Sequence, residues 1–462
     1  MRRWRLLNGL VAWAGVSLLC ATPVALAVGP SVVERTLSSG ATVLVSEQPE
    51  LPIVVMIALL DAGSRRDPEG RFGLANLTAM TLTEGAGGRS ANDIAAAIEF
   101  VGGALSAAAN VDYTTVSLRV LRKDFDVGLE LFADVLLQPS FVDGELARAR
   151  EATLATLRED EDDPTSVAGR AFSKELYGPH PYAHPVRGDA ESVAALDRGS
   201  VLDFYRTYYG PRGAVIVVVG DVRVDDVEAR LAASLRGWRP RPRPRLKVTE
   251  PEVSGPRRIE IDRPVTQASV VIGQRGVARS NPDYEALSVV NYVLGGGGFS
   301  SRLMNKIRSE AGLVYSVSSY FSGGQLPGSF RVIMQTKNES VAQAIAMARD
   351  EIEKVHDHGI SQDELDDAKR YLTGSFPLGL DSDREIAGYL ASTWFLGLGR
   401  DAAEHYLQKI EAVSLEDARR VAKQYLAPNS LLEVVVADLA KTRGTPRVKT
   451  GAVGAAIESE LP

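Results

Sequence analysis

The sequence predicts an α+β protein in which one α/β unit is used twice and the two copies are joined by a proline- and arginine-rich linker. Three observations lead there. Short β-rich runs alternate with helical apolar periodicity along most of the 462 residues. A set of landmarks then returns at fixed spacing: Tyr208, Pro211, Val217, Val218, Val219 and Asp221 recur as Tyr425, Pro428, Val434, Val435, Val436 and Asp438, each 217 residues on. Upstream, Asp143-Gly144-Glu145-Leu146 is echoed by Gln362-Asp363-Glu364-Leu365, with 219 residues between Glu145 and Glu364. Helix, turn and apolar strand recurring in step mark a duplicated unit. Between the copies, Arg239-Pro240-Arg241-Pro242-Arg243-Pro244-Arg245 forms neither helix nor sheet interior, because each Pro removes a donor and fixes φ. The expected boundaries are 32–236 for the first unit, 237–256 for the linker, 257–440 for the second and 441–462 for a loose tail. Alternating Pro suits a stiff spacer better than a docking site.

Composition fits two folded cores, with 45% hydrophobic and 24% charged residues. The N-terminus differs. Arg2, Arg3 and Arg5 precede an apolar run from Leu10 to Ala27 that closes on Ala25-Leu26-Ala27, the three-part layout of a secretory signal peptide. Residues 1–27 are therefore expected to be removed and the protein exported to the periplasm; a retained anchor is the alternative. Cys20 does not mark a lipoprotein, since Leu19 before it is too large. Removing the segment deletes three Arg and no acid and moves the formal charge from −7 to −10, which excludes nucleic acid and anionic membrane surfaces as partners. The single cysteine leaves with it, so no disulfide is expected. No later apolar run has the length of a membrane span.

In order along the first unit, Val43–Val45 and Ile53–Ile57 read as strands on either side of Pro52. Gly73–Gly85 reads as a short helix with Leu74, Leu77 and Leu82 on its apolar side and a Gly stop. Ala91–Val101 is a second helix, ended by Gly102-Gly103. Ala104–Leu121 alternates as a strand does, with Thr114, Val116, Leu118 and Val120 pointing one way. Phe125–Leu137 and Gly144–Glu161 are long amphipathic helices split by Gln138-Pro139-Ser140, and Val201–Tyr209 is another. Ala214–Val219 is a buried strand.

Several pieces together resemble the M16 (pitrilysin/insulinase-like) peptidases. Gly295-Gly296-Gly297-Gly298-Phe299-Ser300-Ser301-Arg302-Leu303, running on to Gly312-Leu313-Val314-Tyr315-Ser316, is the most diagnostic. Pro179-His180-Pro181-Tyr182-Ala183-His184-Pro185 before Gly188 looks like the family's His-Pro-Tyr loop. Gly102-Gly103 leads into what resembles its substrate-aligning edge strand. The resemblance covers about residues 32–440 and implies two homologous domains, like those of the mitochondrial processing peptidases, facing each other as a clamshell.

It also implies a metal site that these residues do not supply. The family's inverted motif His-x-x-Glu-His holds zinc with two imidazoles on one helix face and activates water with the Glu. Those positions fall on Asn76, Ala79 and Met80, and the family's third ligand, a Glu on the later long helix, falls on Thr156. Amide, methyl, thioether and hydroxyl replace three ligands and a base together, so no metal is expected in this chain. The five histidines do not replace them. His180 and His184 are four apart, but Pro179, Pro181 and Pro185 forbid a helix there; His356 and His358 suit a helix C-terminus, and His405 an exposed helix.

Two further residues match the family pattern. Arg308 and Tyr315, seven apart, occupy the positions from which active members reach substrate and the developing oxyanion, and Gly295, Gly296, Gly297 and Gly298 offer a backbone that a peptide can approach. Read without the resemblance, they are a surface charge, a strand aromatic and a turn. The resemblance implies a non-catalytic subunit that lends Arg308 and Tyr315 to the peptide site of a zinc-bearing M16 paralogue. A purely structural scaffold and a divergent stand-alone peptidase are the alternatives.

Overall fold

The computed structural model describes residues 29–251 and 255–442. The expected signal peptide and almost all of the expected tail lie outside those residues. Each half builds one mixed sheet. In the first, the strand order is Val33–Thr36, Thr42–Glu47, Val215–Gly220, Ile53–Leu60, Thr114–Leu121, Ala104–Ala109. In the second it is Arg257–Asp262, Leu432–Ala437, Gln267–Arg275, Ser329–Lys337, Val314–Ser322. These are the same five strands in the same order, with one extra strand on the first sheet. The one parallel pair also recurs at the same place, Thr42–Glu47 on Val215–Gly220 and Arg257–Asp262 on Leu432–Ala437.

The run expected as one strand over 104–121 is a hairpin. Asn110 bends the chain: its side-chain oxygen accepts from the backbone N–H groups of Asp112 and Tyr113, both at 2.8 Å. Such an Asx turn needs neither Gly nor Pro, so an alternating pattern conceals it.

Val215–Gly220 and Leu432–Ala437 are buried along their whole length. A strand without an exposed face requires cover on both sides of its sheet. One face of each sheet carries helices of its own half. The other face is covered by a helix from the opposite half. Asp383–Phe395 lays Ile386, Leu390 and Phe395 on Leu44, Val55, Ile57, Val215, Val217 and Val219. Pro164–Tyr177 lays Val167, Phe172 and Leu176 on Val271, Leu432, Val434 and Val436. The two helices begin 219 residues apart, so the exchange is reciprocal.

A polar knot completes the junction. Buried Arg65 donates to Asp61 (2.7 Å) and to Gln325 Oε1 (2.6 Å), the latter on the hairpin between Val314–Ser322 and Ser329–Lys337. Tyr182 donates its hydroxyl to Asp112 at 2.6 Å and accepts from Leu326 N–H at 3.1 Å. The His-Pro-Tyr loop therefore has a structural task. The linker shares in the knot: Arg243 pairs with Asp61 at 2.9 Å, and Arg241 donates to the carbonyl of Arg206 at 2.9 Å. Residues 239–251 hold neither helix nor strand, yet their arginines fasten this stretch to the first half. No helix among the described residues is long and apolar enough to cross a membrane.

Candidate functional site

The helix Leu74–Thr81 is set by its start. Gly73 has φ 92°, and a Cβ there would sit 2.5 Å from the carbonyl oxygen of Arg187, so Gly is required. Asp67 caps the helix, accepting from the N–H groups of Gly73 and Ala75 at 2.8 Å each. Asn76 and Met80 come out one turn apart on a half-buried face, and Ala79 is fully buried. Asn76 Nδ2 donates to Met80 Sδ at 3.4 Å. From the long helix Asp143–Asp162, Thr153 Oγ1 donates to the same sulfur at 3.6 Å and to the carbonyl of Ala149 at 2.9 Å. Thr156, one turn further on, donates its hydroxyl to the carbonyl of Ala152 at 3.1 Å.

An amide, a thioether and a hydroxyl are thus satisfied by one another. This is not a donor set for Zn2+, which takes imidazole, thiolate or carboxylate in tetrahedral array. Among the described residues, no three His, Cys, Asp or Glu side chains converge as a metal site. The sequence pattern passed over Thr153. Its signal was the buried series Leu146, Thr153, Leu157 along the long helix, in which a hydroxyl stands among leucines.

The two nearby histidines belong to the packing. His180 Nδ1 accepts from Tyr182 N–H at 3.0 Å, its ring lies 5.3 Å from that of Tyr177, and its Nε2 is buried without a partner. Burial pushes its pKa down to about 4, so the ring is neutral near pH 7. His184 stacks on Phe72 at 4.3 Å and is also shifted down by burial.

The second cluster lies in the other half. The helix Tyr284–Asn291 widens into a π-helical turn, Tyr292–Gly296, and a second π-helical stretch follows at Met304–Glu310. π-turns insert extra residues into a helix and are frequent at functional sites. The glycines between them have different reasons. A Cβ on Gly295 would meet Ser319 Oγ at 2.5 Å, one on Gly296 Asn291 Nδ2 at 2.6 Å, and one on Gly297 the carbonyl of Tyr292 at 2.8 Å. Gly298 has open space around it and φ +55°. Arg302 pins the segment, donating twice to Glu364 at 2.6 and 2.7 Å.

Arg308 sits in the second π-helical stretch, with its guanidinium 4.6 Å from the Phe299 ring centre and 5.3 Å from that of Tyr315. Tyr315 is 82% exposed and Phe299 68%. Tyr315 and Ser316 fall where the edge strand slips register against its neighbour, between the pairs Val314–Thr336 and Val317–Met334. A bulge of this kind turns a side chain out of the sheet. No carboxylate pairs with Arg308 among the described residues. Nor does any hydrogen bond, ion pair or ring contact join this cluster to Asn76, Ala79, Met80 or Thr156. The structure keeps the two sets of predicted residues apart, one in each half.

Residues 42–190 match the family described as "Insulinase (Peptidase family M16)", and residues 195–372 match "Peptidase M16 inactive domain". The chain belongs to the M16 peptidase family. Among its relatives is an "Uncharacterized zinc protease" of Streptomyces coelicolor, 30% identical over 414 residues that cover 88% of this chain and 90% of that one. A "Non-peptidase homolog" of Helicobacter pylori is 26% identical over 407 residues, covering 87% and 93%. The crystal structure of a peptidase M16 inactive domain from Pseudomonas fluorescens superposes with a TM-score of 0.83 at 32% identity, covering 88% of this chain and 98% of the other.

Proposed function

We propose that this chain is the non-catalytic subunit of a heteromeric M16 zinc metallopeptidase, exported to the periplasm, where it lends Arg308 and Tyr315 to the peptide site of a zinc-bearing homologous subunit. One observation carries the reading: the metal positions are closed on themselves through Met80, while a guanidinium and a phenol remain exposed with donors to offer. A guanidinium presents several N–H groups in one plane, and a phenol gives one directed O–H. Both suit a peptide carbonyl that gains negative charge. Gly298 and the exposed Gly296 leave backbone beside them that an extended peptide can approach. The chain itself holds no metal in this reading; the partner carries the zinc. A purely structural role would leave the exposed pair without a task.

The test uses the purified chain and its zinc-bearing partner. Alone, the chain contains no stoichiometric zinc by metal analysis and cleaves no fluorogenic peptide. Mixed, the two cleave, and Arg308→Ala or Tyr315→Phe lowers kcat/KM by about 10²-fold, the usual order for one oxyanion donor, while the pair still co-elutes. Unchanged cleavage by both variants would overturn the reading.

A further inference from the structure

Phe299 has no part in what has been assigned so far, yet its ring is the nearest aromatic face to Arg308. We propose that Phe299 is a positioning residue. Its ring and that of Tyr315 hold the guanidinium of Arg308 by cation–π contact and leave its in-plane N–H groups to a peptide oxygen. The argument begins with what else could orient Arg308. A long, flexible side chain on a half-exposed turn ordinarily adopts many rotamers, and an ion pair is the common restraint. Here no carboxylate serves, although Arg302, six residues earlier, is fixed by Glu364. The two ring faces at 4.6 and 5.3 Å are the printed contacts of the Arg308 guanidinium.

An aromatic face attracts the cation without consuming a donor, whereas a carboxylate would occupy two. Aromatic restraint therefore suits an arginine whose N–H groups must stay free for a ligand. Phe299 is also placed to act. It follows Gly298, whose positive φ turns the chain, and its ring is left largely in solvent where a residue kept for the core would be covered. The role of Arg308 toward substrate rests on the function proposed above; the restraint of Arg308 by Phe299 does not.

Two measurements separate these. On the isolated chain, phenylglyoxal modification of Arg308 is followed by mass spectrometry. Phe299→Ala should speed it about two- to fivefold, the worth of one exposed cation–π contact, and Phe299→Tyr should restore the wild-type rate. Equal rates in all three would overturn the proposal whatever the protein does. In the mixed peptidase, Phe299→Ala should lower kcat/KM by a similar factor, with Phe299→Tyr again restoring it. In an Arg308→Ala background the same change should do nothing further, because its effect runs through Arg308. A Phe299→Ala loss that persists in that background would overturn the positioning role. An inert Arg308→Ala together with faster modification in Phe299→Ala would support the restraint and sink the shared-site reading alone.

Discussion

Ala79 shows how far the metal position has closed. Its methyl is fully buried, on the same helix as the half-buried Asn76 and Met80. Putting a carboxylate back, as Ala79→Glu, adds volume to a filled site and buries a charge without a partner. The expected cost is on the order of 3 kcal/mol, read as a lower urea midpoint with unchanged slope. A neutral result would mean that the pocket for a base is still open. His180 gives a second prediction, from pH. Its folded pKa, about 4, lies below the ordinary imidazole value, so its contribution to stability is present above pH 6.5 and is lost as pH falls from there toward 4. Solvent near the ring screens part of the effect, and we expect a slope of up to about 1 kcal/mol per pH unit in that window. His180→Phe should flatten it in urea titrations at successive pH values.

At the scale of elements, the exchanged helices carry the most weight. Phe172 is fully buried against the second sheet and Leu390 against the first. Phe172→Ala should cost about 3–5 kcal/mol and Leu390→Ala about 2–5 kcal/mol. Each cavity opens between the halves, so a single unfolding transition should move as a whole; a change confined to one half would count against the exchange. These helices also mark what could be read in the sequence. The recurrence from Tyr208 to Tyr425 is legible because both copies bury the same strand and turn it out of the same helix. Apolar spacing in Pro164–Tyr177 says that a face is covered but not by what, since the partner sheet is over 90 residues away in the chain. The π-helical stretches were hidden for a related reason. They arise where Gly295–Gly297 let backbone and side chains approach too closely for any Cβ, and glycine spacing alone does not reveal that. The same applies to Thr153, whose tie to Met80 joins residues 73 positions apart.

Across the whole molecule, the two halves are joined by apolar exchange and by the knot around Asp61, and the two act differently. Apolar cover is tolerant of small sliding, whereas directed hydrogen bonds to Arg65, Tyr182 and Gln325 fix one relative placement. Gly324 is the point at which this placement can be tested without removing any polar group. A Cβ there would collide with the carboxylate of Asp112 and the hydroxyl of Tyr182, so Gly324→Ala drives the hairpin away from the first half while leaving every donor and acceptor in the chain. The expected cost is about 1–3 kcal/mol, with faster proteolysis along 239–251, because Arg243 and the carbonyl of Pro244 are tied to the same knot through Asp61 and Arg66. Phe299, Arg308 and Tyr315 stand on the same half as this hairpin, Tyr315 on the very strand that leads into it. If the paired enzyme needs the two halves held in one arrangement, Gly324→Ala should lower its kcat/KM while leaving phenylglyoxal modification of Arg308 at the wild-type rate. Slower cleavage with altered Arg308 reactivity would place the damage in the cluster itself, and unchanged cleavage with a loosened linker would show that the halves need not be locked for this chain to serve its partner.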